Sequence, residues 1–255
     1  MNILMLGDVV GQTGCDYLRE KLPLLKERYE ADIVVANGEN SADGNGMTPK
    51  SLRHLIDSGV DIITAGNHAL RRREVYEVLD KQQGVLRPAN YHSTAPGTGI
   101  YLHDDPRNRL WVINLQGVVY IQNHQNPFDC IDSLLEQVDS PCVLVDFHAE
   151  ATAEKLCLGY YLDGRVSAVV GTHTHVPTAD ARVLPKGTGY ITDVGMCGGY
   201  DSVLGVKREI AIQKMRTGLP TRFENDPRDI RLCAVALEIE NKTGKCTAIE
   251  AIPFF

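Results

Sequence analysis

Five short segments of this chain are rich in carboxylate, amide and imidazole side chains. They are Gly7-Asp8, Asn37-Gly38-Glu39-Asn40, Gly66-Asn67-His68, Asp146-Phe147-His148-Ala149-Glu150 and Gly171-Thr172-His173-Thr174-His175. Oxygen ligands and neutral imidazole suit Mn, Fe or Zn, whereas the absence of thiolates argues against a structural zinc site. Together the segments supply about as many ligands as two neighbouring divalent cations require.

The pair His173 and His175 is the strongest single signal. Residues two apart in extended backbone project to the same side, so both imidazoles can serve metals about 3.5–4 Å apart. Glu39 has two carboxylate oxygens and is a natural bridge between them. Single residues have simpler readings, because an Asp after a strand commonly caps a helix and Asn is frequent in turns. Five such segments together favour a metal site.

The polar segments follow short apolar runs that read as strands, and helical patterns separate most of the early runs. The predicted strands are Asn2–Leu6, Asp32–Ala36, Asp61–Thr64, Leu110–Leu115, Cys142–Phe147, Val166–Val170 and Gly189–Asp193. The predicted helices are Tyr17–Tyr29, Pro49–Ser58, Arg73–Lys81, Phe128–Gln137 and Thr152–Leu162. This alternation predicts an α/β fold with a mainly parallel central sheet, so we expect the polar segments to converge at one carboxyl edge.

The remaining segments complete a single predicted domain over residues 1–255. Arg231–Glu240 and Lys245–Ile252 alternate apolar and polar residues around a turn, which predicts a hairpin at a sheet edge or in a second sheet. Pro88–Asp105 is rich in Pro, Gly, Asn and His and reads as a long loop. Residues 201–229, with a helix predicted at Val206–Thr217, read as a surface excursion.

Composition narrows the function classes. The net charge of -7 argues against binding to a long nucleic-acid backbone, which needs clustered Lys and Arg. Seven dispersed cysteines without a CxxC pair indicate reduced thiols in a cytoplasmic protein. No apolar stretch approaches membrane-spanning length, and the sequence opens on a strand-like run without a basic leader. A homo-oligomer is compatible with these features.

The polar segments, in this order, resemble the GD, GNH and GHxH signatures of the calcineurin-like metallophosphoesterase superfamily. More narrowly, Leu6–Gly11, Asn37–Ala42 and Gly171–Asp180 resemble its bacterial YmdB-type branch. The resemblance implies a sandwich of central, largely parallel or mixed sheets flanked by helices, with metals at the carboxyl ends of strands. Two positions depart from the superfamily pattern: Val10 stands where a His is usual, and Glu39 replaces the bridging Asp.

The resemblance also implies a ligand set for two divalent cations, since in this branch the Asn beside the bridging Glu compensates for the missing imidazole. The first metal is assigned Asp8, Glu39, Asn40 and His175, and the second Glu39, Asn67, His148 and His173. An amide oxygen in place of an imidazole nitrogen favours Fe or Mn, with Zn and Mg as alternatives.

Members of the branch are phosphodiesterases of small cyclic nucleotides, so the resemblance implies a 2′,3′- or 3′,5′-cyclic substrate. Hydroxide held between the cations would attack phosphorus in line. His68 would protonate the leaving oxygen or hydrogen-bond the transition state, or would only orient a ligand. The alternatives are a phosphomonoesterase or 5′-nucleotidase, and a non-catalytic metal-binding regulatory scaffold.

Further residues have open roles. Glu150 could orient an imidazole or cap the helix that follows it. Arg71–Arg73 could attract an anionic substrate or form a solvated face. Asn90 and the segment Asp193–Gly198 could contact substrate, whereas Cys197 has no visible activating partner.

Overall fold

The computed structural model describes residues 1–43, 45–81, 83–122 and 124–255. Its strands are β1 (Asn2–Leu6), β2 (Asp8–Val9), β3 (Ile33–Asn37), β4 (Ile62–Thr64), β5 (Ile100–Asp104), β6 (Arg109–Gln116), β7 (Val143–His148), β8 (Ala168–Thr172), β9 (Arg182–Val183), β10 (Gly189–Ile191), β11 (Met196–Gly199), β12 (Ile230–Leu232), β13 (Ala234–Ile239) and β14 (Cys246–Ile252). Its helices are α1 (Gly11–Arg28), α2 (Pro49–Asp57), α3 (Tyr76–Lys81, after a 3₁₀ turn), α4 (Pro127–Leu135), α5 (Thr152–Tyr161) and α6 (Arg208–Thr217).

Two large mixed sheets form the centre of the fold. The first has the order β14-β13-β1-β3-β4, with β1, β3 and β4 parallel and the β13–β14 hairpin antiparallel. The second has the order β5-β6-β7-β8-β10-β9, with a parallel centre and antiparallel edge strands β5 and β9. A small third sheet has the order β12-β11-β2. Its strand β2 begins at Asp8 and pairs in parallel with β11.

The central strands of the two large sheets are buried on both faces, and this arranges the fold in layers. In β1, Ile3 and Met5 pack in the core shared with the second sheet, while Leu4 and Leu6 pack beneath the helices α1 and α2. Helices α4 and α5 cover the outer face of the second sheet in a third core cluster. The arrangement is therefore helix, sheet, sheet, helix, and the near-continuous apolar runs in the sequence reflect parallel strands covered on both sides.

Local signals explain most helix boundaries. Thr48 and Ser51 form a capping box at α2, with Pro49 in the first turn, and the Asn126 side chain caps α4. Helix α1 begins at Gly11, six residues before its predicted start, and it presents Leu18, Leu22 and Leu25 to the core.

Two predictions about the sheets are wrong. There is no single mainly parallel sheet in the described ranges, because the parallel strands are divided between two sheets. The predicted loop Pro88–Asp105 contains the edge strand β5, which pairs with β6. Its residues are only partly buried, so its apolar pattern is weak beside the surrounding Pro and Gly. The predicted hairpin is confirmed and β14 forms an edge of the first sheet.

Candidate metal centre

The predicted ligands meet where the carboxyl ends of the two sheets come together. Asp8, Glu39, Asn40 and Asn67 follow strands β1, β3 and β4 of the first sheet, whereas His148 ends β7 and His173 follows β8 of the second. The convergence that was predicted for one sheet edge is therefore made by two facing sheets.

His148 lies at the centre of one group of predicted ligands. Its Nε2 is 3.2 Å from Glu39 Oε1, 3.1 Å from Asn67 Oδ1 and 3.0 Å from His173 Nδ1. Ligand atoms of Glu39, His148 and His173 all lie within 4.8 Å of one another. A Cβ on Gly66 would lie 2.0 Å from the His148 ring, so the glycine before Asn67 makes room for the imidazole.

The second group surrounds Asp8. His175 Nε2 is 3.6 Å from Asp8 Oδ1 and 3.2 Å from Asn40 Nδ2, which is itself 3.3 Å from Glu39 Oε1. Asp8 is fully buried, and its Oδ1 has no hydrogen-bond partner among the described residues. A buried carboxylate oxygen without a partner is costly. A cation would satisfy it, and the surrounding oxygen and nitrogen donors fit a divalent metal.

Asp8 does not cap a helix, since the N-cap residue of α1 is Val10 and no side chain caps this helix. Its Oδ2 instead accepts a hydrogen bond from the backbone N–H of His173 at 3.0 Å. The alternative reading of Asp8 from the sequence is therefore wrong.

His68 borders both groups and is open to solvent. Its backbone N–H donates to Glu39 Oε2 at 3.0 Å, and its Nδ1 lies 2.8 Å from Asn40 Oδ1 and 3.2 Å from Glu39 Oε1. Its side chain is 28% exposed, whereas that of His148 is fully buried. Of these two histidines, His68 is the one that a substrate can reach.

A buried polar network fixes the orientation of His148. The Thr172 hydroxyl donates to Asp146 Oδ1 at 2.8 Å and lies 3.0 Å from His148 Nδ1. Because a threonine hydroxyl has one proton, His148 Nδ1 must be the donor to Thr172, which leaves Nε2 to bind a metal. The Thr64 hydroxyl and the Asn37 amide also donate to Asp146.

Sequence reasoning gave no role to Asp146, Thr64 or Thr172 and leaned toward a turn for Asn37. A usable signal existed, because Asn37, Thr64 and Thr172 are each the polar last residue of a buried strand. Burial raises the pKa of Asp146 to about 6, although hydrogen bonds from Thr64 and Thr172 oppose the shift.

The imidazoles of His173 and His175 also have partners that orient them. Glu150 Oε2 lies 3.0 Å from His173 Nε2, while the N-cap residue of α5 is Ala151 and no side chain caps this helix. Glu150 therefore makes the orienting contact, and its reading as a cap is wrong. His175 Nδ1 lies 3.0 Å from the carbonyl oxygen of Leu204, in the predicted surface excursion 201–229. No sequence signal marks a backbone carbonyl.

Charge around the centre holds the carboxylates ionised. Burial would raise the pKa of Glu39, but the charge of His148 and hydrogen bonds lower it well below its ordinary value. Burial likewise opposes the ionisation of Asp8, yet His175 and His148 lower the pKa of Asp8. Burial and the charge of His148 lower the pKa of His173 to about 3, so this imidazole is neutral, as a metal ligand must be.

Several other candidates are used structurally. Arg72 donates hydrogen bonds to the carbonyl oxygens of Ala42 and Asn45. Asn90 is fully buried and its amide bonds the backbone of Gln116 and Gln125, so the expectation that it contacts substrate is wrong.

Asp193 is also fully buried, in contact with Lys155, and cannot meet substrate. The remainder of Asp193–Gly198 includes Cys197, whose burial raises the pKa of its thiol well above the ordinary value. Cys197 is therefore not an activated nucleophile, as expected.

None of the helices within the described ranges has the length and apolar character that crossing a membrane requires.

A double sheet flanked by helices, with metal-ligand side chains gathered where both sheets end, defines a protein of the metallophosphoesterase class. The model of the YmdB-like protein family matches residues 4–252, and the chain belongs to this family. The class implies divalent metal ions, and the residues above form a candidate site for them.

Known proteins with similar sequence or structure agree with this assignment. The chain is 47% identical over 254 residues to the 2′,3′-cyclic-nucleotide 2′-phosphodiesterase of Bacillus subtilis. The alignment covers 99% of this chain and 96% of that protein. A phosphatase from Mycoplasma pneumoniae superposes with a TM-score of 0.93 at 36% identity, covering 99% and 92% of the two chains.

A more distant structure, named as a 5′-nucleotidase of Staphylococcus aureus, is similar in fold alone. It is 16% identical with a TM-score of 0.58, and the match covers 100% of this chain and 54% of that one. The predicted branch and sandwich fold are confirmed, and so is the prediction of a metal-dependent phosphoric diester hydrolase.

Proposed function

We propose that this enzyme hydrolyses small cyclic nucleotides, 2′,3′-linked ones first and 3′,5′-linked ones also, using two divalent cations. The observation that carries the proposal is that the predicted ligands gather in two adjoining groups, one around His148 and one around Asp8, whose buried Oδ1 has no hydrogen-bond partner among the described residues. The name of the Bacillus subtilis relative supports the choice of substrate.

The distances support the division of ligands into two sets. Asp8 and Asn40 lie near His175, and Asn67 and His173 lie near His148, while Glu39 Oε1 is 3.3 Å from Asn40 Nδ2 and 3.2 Å from His148 Nε2. Glu39 is then shared by both sets. Amide and carboxylate oxygens outnumber imidazoles in the first set, which favours Fe or Mn, with Zn and Mg as alternatives.

Asn40 links the first set to His68. Its amide nitrogen faces Glu39 and His175, and its oxygen faces His68 Nδ1. For Asn40 to ligate a cation, half a turn of this amide would direct its oxygen toward His175 and its nitrogen toward His68. The Asn40 N–H would then donate to His68 Nδ1, which leaves the proton of the neutral ring on Nε2. That Nε2–H can hydrogen-bond the departing oxygen in the transition state.

When bound, the cations would activate water for attack and neutralise charge on the phosphoryl oxygens. The new bond joins the water oxygen to phosphorus and the P–O2′ bond breaks, leaving a nucleoside 3′-phosphate. The departing O2′, hydrogen-bonded by His68 Nε2–H, takes up one proton, and the attacking water releases one proton. The buried Thr172 and Asp146 hold His148 in place throughout.

The proposal is tested by assaying the purified protein with Mn²⁺ or Fe²⁺ on a 2′,3′-cyclic nucleotide and on a nucleoside 5′-monophosphate. We expect the diester to turn over, with losses of about a hundredfold or more for His68→Ala and Glu39→Gln. His103→Ala, on the edge strand β5 beside Asp105, is the matched control and should retain wild-type activity.

The second candidate is a phosphomonoesterase, and it is supported by the similarity to the structure from Mycoplasma pneumoniae that is named a phosphatase. Turnover of the monophosphate alone would establish that alternative. A wild-type protein that binds metal but is as inactive as its His68→Ala variant on both substrates would indicate a regulatory scaffold.

All seven cysteines are free thiols, which supports our placement of the enzyme in the cytoplasm.

A further inference from the structure

The loop that carries His173 and His175 has a strained backbone. Both residues have positive φ, +103° and +65°, although neither is glycine. Such conformations are unfavourable for residues other than glycine and persist only where the surrounding structure imposes them. Both imidazoles depend on this backbone for their direction, so the contacts that hold the loop determine the position of two predicted ligands.

A buried ion pair lies directly behind the loop. Lys155 on α5 is 1% exposed, and its Nζ donates to Asp193 Oδ2 at 2.7 Å and to the carbonyl oxygen of Thr172 at 2.7 Å. Asp193 is fully buried, and its Oδ2 also accepts the backbone N–H of Thr174 at 3.0 Å. The ammonium group thus holds the residue before His173, and the carboxylate holds the residue between the two histidines.

The carboxylate also fixes its own loop. Asp193 Oδ1 accepts the N–H of Gly195 at 2.9 Å, and the Val194 N–H donates to the Gly171 carbonyl oxygen at 2.9 Å. Within the described residues, the side chains of Lys155 and Asp193 form no hydrogen bond with any predicted metal-ligand side chain. Their hydrogen bonds therefore act on the centre through the backbone.

Burying two charges gives little net stability, since desolvation offsets their attraction. An apolar or neutral pair could fill the same space, but it would not provide a donor to the Thr172 carbonyl and a charged acceptor for the Thr174 N–H. The value of the pair therefore lies in the geometry that it imposes on the loop.

We propose that Lys155 and Asp193 are positioning residues that hold the strained loop Thr172–His175, so that His173 and His175 face their cations. The proposal rests on the proposed function for its metal ligands. Removing a partner that orients a ligand typically reduces metal affinity about 10- to 100-fold.

The test uses full-length Lys155→Met and Lys155→Met/Asp193→Asn, with Asp163→Asn as the matched control. Asp163 is another buried carboxylate that accepts backbone N–H groups, those of Lys186 and Thr188, outside the loop that carries the histidines. Three quantities are measured: thermal stability, the Mn²⁺ dissociation constant, and hydrogen–deuterium exchange of residues 170–178 in metal-free protein.

We expect Lys155→Met to be less stable, because Asp193 is left as an unpaired buried charge. The double variant should regain stability but not loop geometry. Both should bind Mn²⁺ about 10- to 100-fold more weakly and exchange amide hydrogens of residues 172–176 faster, while Asp163→Asn matches wild type in both.

The inference is overturned if loop exchange in metal-free Lys155→Met equals wild type, or if the double variant recovers both stability and Mn²⁺ affinity. A wild-type protein without Mn²⁺ binding or turnover would instead contradict the proposed function. The exchange measurement needs no metal and decides on the loop in either case.

Discussion

Val10 and Asn40 distinguish this centre at the scale of single residues. Val10 occupies the position where the superfamily usually has a metal-binding histidine, and it is buried against Gly198 and Gly205. That apolar contact places Val10 in the packing of the small third sheet. Asn40 is 3% exposed, its Nδ2 lies 3.2 Å from His175 Nε2, and we propose it as the ligand that replaces the missing imidazole.

We expect His148 to make metal uptake depend on pH. Burial lowers the pKa of His148, but the charges of Glu39 and Asp8 raise it to about 9 in the metal-free protein, against an ordinary 6.5. Its charged form therefore stabilises the metal-free fold fully below about pH 6.5, and this contribution is lost as the pH rises through 9. A metal needs the neutral ring, so binding must displace a proton at pH 7.5.

We expect calorimetric titration of metal-free protein with Mn²⁺ to release about one proton from His148 at pH 7.5, with affinity increasing toward pH 9. Titrations in two buffers of different ionisation enthalpy measure the release. Heats that do not depend on the buffer would contradict the charge state assigned to His148.

At the scale of elements, α1 shows how tertiary contacts extend a helix beyond its sequence signal. Its first turn contains Gly11 and Gly14, both buried, and the Gly11 N–H donates to the Asn40 carbonyl oxygen. A Cβ on Gly14 would lie 2.4 Å from the backbone oxygen of Cys197 in β11. The close approach of α1 to β11 needs glycine at this point, despite its poor helix propensity.

Gly14→Ala is therefore expected to destabilise the protein. Helix propensity alone predicts a gain of about 0.5–1 kcal/mol, whereas the clash with Cys197 should cost about 1–3 kcal/mol more than that gain. Thermal unfolding should show a melting temperature lower by several degrees. Glu20→Ala, on the exposed side of the same helix, should leave it unchanged, and an increase for Gly14→Ala would refute the packing argument.

At the scale of the whole molecule, the candidate centre joins the carboxyl ends of both large sheets. Glu39 and Asn67 come from the first sheet and His148 and His173 from the second, so cations bound there would connect the two halves of the sandwich. The single domain predicted for residues 1–255 and a homo-oligomeric state stay predictions.

Bound metal should stabilise the folded protein, because the full ligand set exists only there. With free Mn²⁺ at about 100 times its dissociation constant, the free energy of unfolding should increase by about 2.7 kcal/mol. Urea unfolding with Mn²⁺ and with chelator measures the difference. Glu39→Gln should show little dependence on Mn²⁺, and equal stability of wild-type protein in both conditions would count against the centre.

The sequence by itself determined the residue types of the centre and most of the elements that carry them. Asp8, Glu39, Asn67, His148 and His173 could be found because polar ligands directly follow buried apolar runs. Local periodicity and caps likewise gave the parallel strands and helices such as α2, because these signals depend on neighbouring residues only.

Only the tertiary structure decided which distant segments meet. The division of the strands between two sheets, the bond from the Leu204 carbonyl to His175 and the Lys155–Asp193 pair join residues far apart in the chain. Such contacts leave no local spacing in a single sequence, since they depend on how separate elements pack and on backbone groups that every residue shares.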